Sequence, residues 1–158
     1  MRKEDKQQFT LRITRANPTE LVAILYEMLL CYLEDGYQAL DSEEEVLFHE
    51  AIRKARGCLN ELIGSLDVRY QPAPEIQQLL LFCVRRLALG EARKDRALLM
   101  EAEKVIRPLK DAYAQLAKQN TAPPVMNNAQ TVYAGLTYGR SALTENMTNQ
   151  GANRGMLA

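Results

Sequence analysis

The sequence predicts an all-α fold, an antiparallel up-down four-helix bundle with an extra C-terminal tail that has room for a short helix. Three observations carry this. Apolar residues recur at three- and four-residue spacing through four long segments, each segment opens on a helix-start signal, and short connections rich in Pro, Gly or Asp separate them. No stretch has strong strand character.

The clearest start lies in TRANPTELVAILYEMLLCYL, residues 14–33. Asn17 suits the N-cap, Pro18 sits at the first helical position where no backbone donor is missed, and Glu20 stands where a capping-box acid reaches back. Leu21, Val22, Ile24, Leu25, Met28, Leu29, Tyr32 and Leu33 follow, covering well over one face, so this helix, 18–39, must be buried on several sides. Ahead of it, residues 1–13 are polar except for Phe9, Leu11 and Ile13, whose alternation predicts an extended leader arm docked by its last residues.

Ser42-Glu43-Glu44-Glu45 reads as a second capping box with acids in the first turn. The helix after it carries Val46, Leu47, Ala51, Ile52, Ala55, Leu59, Leu62, Ile63 and Leu66. Gly57 and Gly64 within it mark either close approach of another helix or simple tolerance. Pro72 and Pro74 end the following linker and open a third helix. From Ile76 to Leu89 that helix is apolar nearly all round until Arg85 and Arg86, and Gly90 is its expected stop. It either sits centrally or offers a second apolar face to a partner. Asp95 is the N-cap of a fourth helix, 96–118, striped by Leu98, Leu99, Ala102, Val105, Ile106, Leu109, Ala112, Tyr113 and Leu116, with a kink expected from Pro108 near Lys104. From Asn120 the chain turns Pro- and Asn-rich, then low in charge, yet keeps Val132, Tyr133, Leu136, Tyr138, Leu143 and Met147.

At 158 residues, 47% of them hydrophobic, the chain supports one domain with a sizeable core. Twenty Lys and Arg balance twenty Asp and Glu, which argues against a strongly basic nucleic-acid or anionic-membrane binder. The apolar runs are too short for a membrane span and the N-terminus lacks a signal-peptide core, so a cytoplasmic location is expected. Cys31, Cys58 and Cys83 are dispersed and read as reduced core thiols. With His49 as the single histidine, and Glu45 and Glu50 at the wrong spacing for a Glu-x-x-His site, no metal or cofactor is expected. No nucleophile or phosphate-loop motif is present, so no enzyme activity is expected. The basic run Arg85, Arg86, Arg93, Lys94 and Arg96 is either a solvated helix end or a docking point for an acidic partner.

Two segments carry a family resemblance. Ala16-Asn17-Pro18-Thr19-Glu20-Leu21-Val22-Ala23-Ile24-Leu25-Tyr26 and VRRLALGEARKD, Val84 to Asp95, occur in the order found in the flagellin-specific export chaperones, FliS, and the similarity covers about residues 9 to 118. The sequence departs from the family in having Glu27-Met28 where Asp-Gly is usual, Tyr113 for a late Trp, Phe9 for a leader Tyr, and a tail beyond Asn120.

The pattern divides the chain into a leader (1–13), a helical domain (14–119), which the resemblance implies is the chaperone domain, and a linker with tail (120–158). It implies binding of the C-terminal segment of flagellin, prevention of premature polymerisation and delivery to the flagellar export apparatus. A helical adaptor binding another flagellar protein is the alternative, and self-association into a homodimer stays open. Such a chaperone needs apolar grooves in which an amphipathic segment folds on binding. The groove candidates are Ile52, Leu59, Ile76, Leu80, Val84, Leu87 and Tyr113, each either core or contact. Phe9, Val132, Leu136 and Leu143 are candidates for capping the groove; the tail is otherwise an appendage or a site for a second partner.

Overall fold

The computed structural model describes residues 1–125, and these form five α-helices: α1 (Lys3–Arg15), α2 (Pro18–Asp41), α3 (Glu45–Ser65), α4 (Ala73–Arg93) and α5 (Arg96–Gln119). The described residues contain no strand. Helix α2 packs on α3 and α5, α4 packs on α5 and α3, and α1 leans on α2.

Helix α2 starts as its sequence dictates. The Asn17 side chain accepts the Glu20 N–H at 2.9 Å while the Glu20 carboxylate accepts the Asn17 N–H at 3.0 Å, closing the capping box ahead of Pro18. Its apolar circumference is covered on several sides. Tyr26, Leu29, Leu33 and Tyr37 join Phe48, Ile52, Leu59 and Leu62 of α3, Leu80, Cys83 and Leu87 of α4, and Leu99, Ala102 and Ile106 of α5 in one main core.

The leader is a correction. It forms α1 rather than an extended arm, because Phe9 and Ile13 lie four residues apart on one helical face and both are buried, while Leu11 points outward and is 53% exposed. Glu4 and Asp5 in the first turn and Arg12 and Arg15 in the last complement the helix dipole. Phe9, Ile13 and Ala16 make a second, smaller cluster with Ile24, edged by Leu21, Met28, Cys31 and Val125.

Two helix boundaries also differ. Ser42 ends α2, its N–H bonded to the carbonyls of Gln38 and Leu40, and Glu43 takes a left-handed φ of 57°, so α3 starts at Glu45 without a side-chain cap. Three consecutive acids cannot all occupy the first turn when the α2 end claims Ser42. Gly90 does not stop α4. The helix runs on to Arg93 and ends on Lys94 in a left-handed conformation. Gly90 is instead a contact glycine, since a Cβ there would stand 2.7 Å from Leu99 Cδ2 and 3.2 Å from the Asp95 carbonyl. Gly36 plays the same part against Ile52, while Gly57 and Gly64 have open space beside them and serve no close approach. Helix α5 starts on Asp95, whose carboxylate accepts the Ala97 N–H at 2.9 Å, and continues through Pro108.

Two sets of polar links, part-buried to exposed, tie the helices together. The Tyr37 hydroxyl donates to Glu103 at 2.6 Å, Glu103 also accepts from Arg107, and the Arg96 guanidinium covers the Tyr37 ring at 4.7 Å while pairing with Asp41. Burial and the Glu103 contact both push the Tyr37 hydroxyl pKa up. On the α3–α4 side, Glu91 receives Arg56 at 3.0 Å and His49 at 2.9 Å, and Lys94 reaches Glu45 at 2.9 Å. Part of the basic run, Arg86, Lys94 and Arg96, is thus engaged in ion pairs within the fold.

The two kinds of glycine should separate on substitution. Gly90→Ala should destabilise the protein by about 1–2 kcal/mol, because overpacking against the fully buried Leu99 outweighs the gain in helix propensity. Gly57→Ala should stabilise it by about 0.5–1 kcal/mol. Urea midpoints of the two variants check this, and equal shifts would contradict it.

Candidate partner-binding surface

The seven groove candidates fall into two groups. Ile52, Leu59, Leu80 and Leu87 have no exposed surface and interlock at the centre of the main core, so in this conformation they hold the helices rather than face a partner. Ile76, Val84 and Tyr113 are only partly covered and sit at its margin. The sequence pattern treats both groups alike because each lies on the apolar stripe of its helix. What separates them is how far the neighbouring helices extend over each position.

Tyr113 lines a groove formed by described residues of α2 and α5. Its ring stacks on Tyr26 with centroids 5.3 Å apart and planes 27° apart, which fixes it between α2 and α5. Beside it Pro18, Thr19 and Val22 from the first turns of α2 face Leu116, Gln119 and Asn120 from the end of α5, enclosing a shallow groove of about 450 Å³. Leu116 is 51% exposed there. The sequence places Val22 and Leu116 on core stripes. Both fall within two turns of a helix end, where coverage by a neighbour runs out, and that position is the signal that marks them.

A second depression, of about 400 Å³, lies across the α2–α5 contact. It is lined by Arg12 and Arg15 of α1, Glu20, Ala23, Ile24 and Glu27 of α2, and Ala114, Ala117 and Lys118 of α5. One wall is therefore α1 itself. Arg12 donates to Glu27 through Nη1 and Nη2, the latter at 2.8 Å, and covers the Phe9 ring at 5.6 Å. Phe9, a groove-capping candidate, thus covers Ile24 and its neighbours on α2. The other capping candidates, Val132, Leu136 and Leu143, lie outside the described residues, as does any helix in the tail.

Helix α1 is the most lightly held of the five. Burying Phe9 and Ile13 contributes roughly 1.5–3 kcal/mol each, while ordering each backbone residue costs about 1–2 kcal/mol before its hydrogen bond is counted. A helix of 13 residues is marginal without tertiary support. Undocking it would expose Leu21, Ile24, Met28 and Cys31 as an apolar strip beside the groove.

Other apolar side chains stand exposed at the corners, chiefly Val46 at 78% and Tyr70 at 65%, and Leu79 and Leu81 lie on the outer side of α4. The thiols of Cys58 and Cys83 are free, and burial pushes each up to about 12. They are packing groups rather than nucleophiles at neutral pH. Among the described residues no group of three or more His, Cys, Asp and Glu is placed to hold a metal ion, and no helix is long and apolar enough to cross a membrane.

Adjacent leucines of α4 should report the core and its margin directly. Leu80→Ala should cost about 2–5 kcal/mol, the usual range for a buried leucine, and Leu79→Ala no more than about 0.5 kcal/mol. Thermal and urea unfolding of the pair give the comparison; similar losses would contradict the assignment.

Comparison with known proteins adds two findings. The family described as "Flagellar protein FliS" matches residues 1–120. A relative from Bacillus subtilis (strain 168), a flagellar secretion chaperone FliS, is 24% identical over 103 residues, which span 65% of this chain and 77% of the relative.

Proposed function

The chain belongs to the FliS family of flagellar proteins, and from that premise we propose that it is a cytoplasmic export chaperone for flagellin. In this reading it binds the C-terminal segment of flagellin, keeps that segment from polymerising and presents it to the flagellar export apparatus. The observation that carries the reading is the apolar groove of Val22, Tyr113 and Leu116, set beside an α1 held by the small Phe9–Ile13 cluster and by two ion pairs, Arg12 with Glu27 and the N-terminal ammonium with Asp35.

The physics fits a helix-prone client. An unfolded amphipathic segment gains from apolar anchors at helical spacing, and a groove between two helices accepts them. Ordering the client costs free energy, so the chaperone must offer a long apolar track rather than one pocket. The groove at the α2–α5 end and the strip on α2 beneath α1 together supply such a track once α1 moves aside. Ile76 and Val84 on α4 extend the apolar margin, while Ile52, Leu59, Leu80 and Leu87 keep the helices in register beneath it. We infer an antiparallel up-down arrangement of α2 to α5 for this scaffold, with α1 as its cover. The reading involves no catalytic step, metal or cofactor.

Calorimetric titration with a synthetic C-terminal segment of flagellin tests the reading. Val22→Asp and Leu116→Asp should each weaken binding at least about ten-fold by placing an unpaired carboxylate in the apolar groove. Leu116→Asp should leave the thermal midpoint nearly unchanged, because that side chain is half exposed. Absence of any binding by the parent chain would overturn the reading.

A further inference from the structure

Residues 120–125 leave the end of α5 and cross to the junction of α1 and α2, where they make contacts that the packing of the long helices does not require. The Asn120 side-chain amide donates to Thr19 Oγ1 at 2.6 Å, and its Oδ1 accepts the Ala122 N–H at 2.9 Å, turning the chain. The Asn17 side-chain amide donates to the Asn120 carbonyl at 3.3 Å. The Val125 N–H then donates to the carbonyl of Ala16, the residue that caps α1, at 3.0 Å. The Val125 side chain packs into the small cluster of Phe9, Ile13, Ala16 and Ile24.

Asn17 is the one buried polar residue of the described chain, only 3% exposed. Its two side-chain functions are divided. Oδ1 caps α2 through Glu20, and Nδ2 holds the segment arriving from α5. Ser, Thr or Asp would cap equally well but carry no amide to donate. The choice of Asn at this position therefore serves the second contact.

We propose that residues 120–125 are a strap that fastens α1 to the bundle, so that undocking α1 and releasing the chain beyond α5 are one event. Among the described contacts of Val125, the Ala16 carbonyl, Phe9 and Ile13 are positioned by α1, and Ile24 belongs to α2. When α1 leaves, Val125 loses its backbone acceptor and the Phe9 and Ile13 part of its apolar seat. Conversely, a pull on the chain after Val125 draws directly on the cap of α1. The coupling is reciprocal, as any coupling free energy between two contacts must be. The strap deepens the reading of α1 as a removable cover, yet it is defined without a partner.

Hydrogen exchange of the full chain, with no partner present, tests the proposal. Val125→Pro removes the donor to Ala16 and keeps an apolar side chain, and Asn120→Ala removes the bond to Thr19 without touching the core. Each should speed exchange of the hydrogen-bonded amides in the second half of α1 about five-fold, the factor expected for one net hydrogen bond, and leave the interior amides of α2 to α5 unchanged. Reciprocally, Ile13→Ala should speed exchange at the Val125 amide by at least as much. If Val125→Pro fails to fold, Asn120→Ala and Ile13→Ala carry the test. Parent-like exchange in α1 with either strap variant, or acceleration spread evenly over all five helices, would overturn the strap. Loss of flagellin binding would leave it standing, and failure of the strap would leave the chaperone reading standing.

Discussion

Helix α2 is apolar over more of its circumference than two neighbours can cover, and the rest of the molecule is arranged around that constraint. Tyr26, Leu29, Leu33 and Tyr37 are taken up by the main core with α3, α4 and α5. Ile24, with Leu21, Met28 and Cys31 around it, is left on the other side, and α1 covers it with Phe9 and Ile13. A fifth helix is thus a consequence of the composition of the second. Gly36 is required on the face toward α3, where Ile52 presses against the backbone.

Because α2 is central, its N-cap residue is a junction. Asn17 sits between α1 and α2, caps one, and receives the chain returning from α5. A buried amide with both ends satisfied costs little and specifies one arrangement; a half-satisfied one would cost about 1–3 kcal/mol. The same few residues, Ala16 to Glu20, therefore set the start of the central helix, the seat of the cover and the path of the segment after α5. The groove of Val22, Tyr113 and Leu116 opens at this same end, so the proposed binding groove and the proposed cover lie within a few residues of each other.

Much of this is legible in the sequence where local rules decide. The capping box at Asn17-Pro18-Thr19-Glu20, the Asp95 cap and the long apolar stripes of α2 to α5 follow from residue type and spacing, and the structure forms them as expected. The leader is ambiguous in sequence because Phe9, Leu11 and Ile13 fit a period of two while Phe9 and Ile13 by themselves fit a helical spacing of four, and the apolar strip on α2 decides between them. Gly90 is ambiguous for a similar reason. A glycine near a helix end reads as a stop, but here the approach of Leu99 demands it, a contact between residues of different helices. Among the groove candidates, a stripe position identifies an apolar side chain but not its coverage. Leu80 and Val84 share a face in the sequence, yet the first is sealed and the second marginal. The docking of residues 120–125 depends on Asn17 and Thr19, a hundred residues earlier, and no local pattern announces it.

For the chaperone role proposed above, the structure offers three physical features: a firm core, an apolar groove at its margin, and a lightly fastened helix lying over the adjoining strip. A chaperone for an aggregation-prone segment has reason to keep such a strip covered until the client arrives, since exposed apolar surface promotes association of its own. The measurement that tests this account most directly is amide hydrogen exchange of the full chain with and without the C-terminal segment of flagellin. The account predicts that the client lowers protection in α1 while raising it at the start of α2 and the end of α5. Unchanged protection in all three places, or protection of α1 that rises with the client bound, would contradict it.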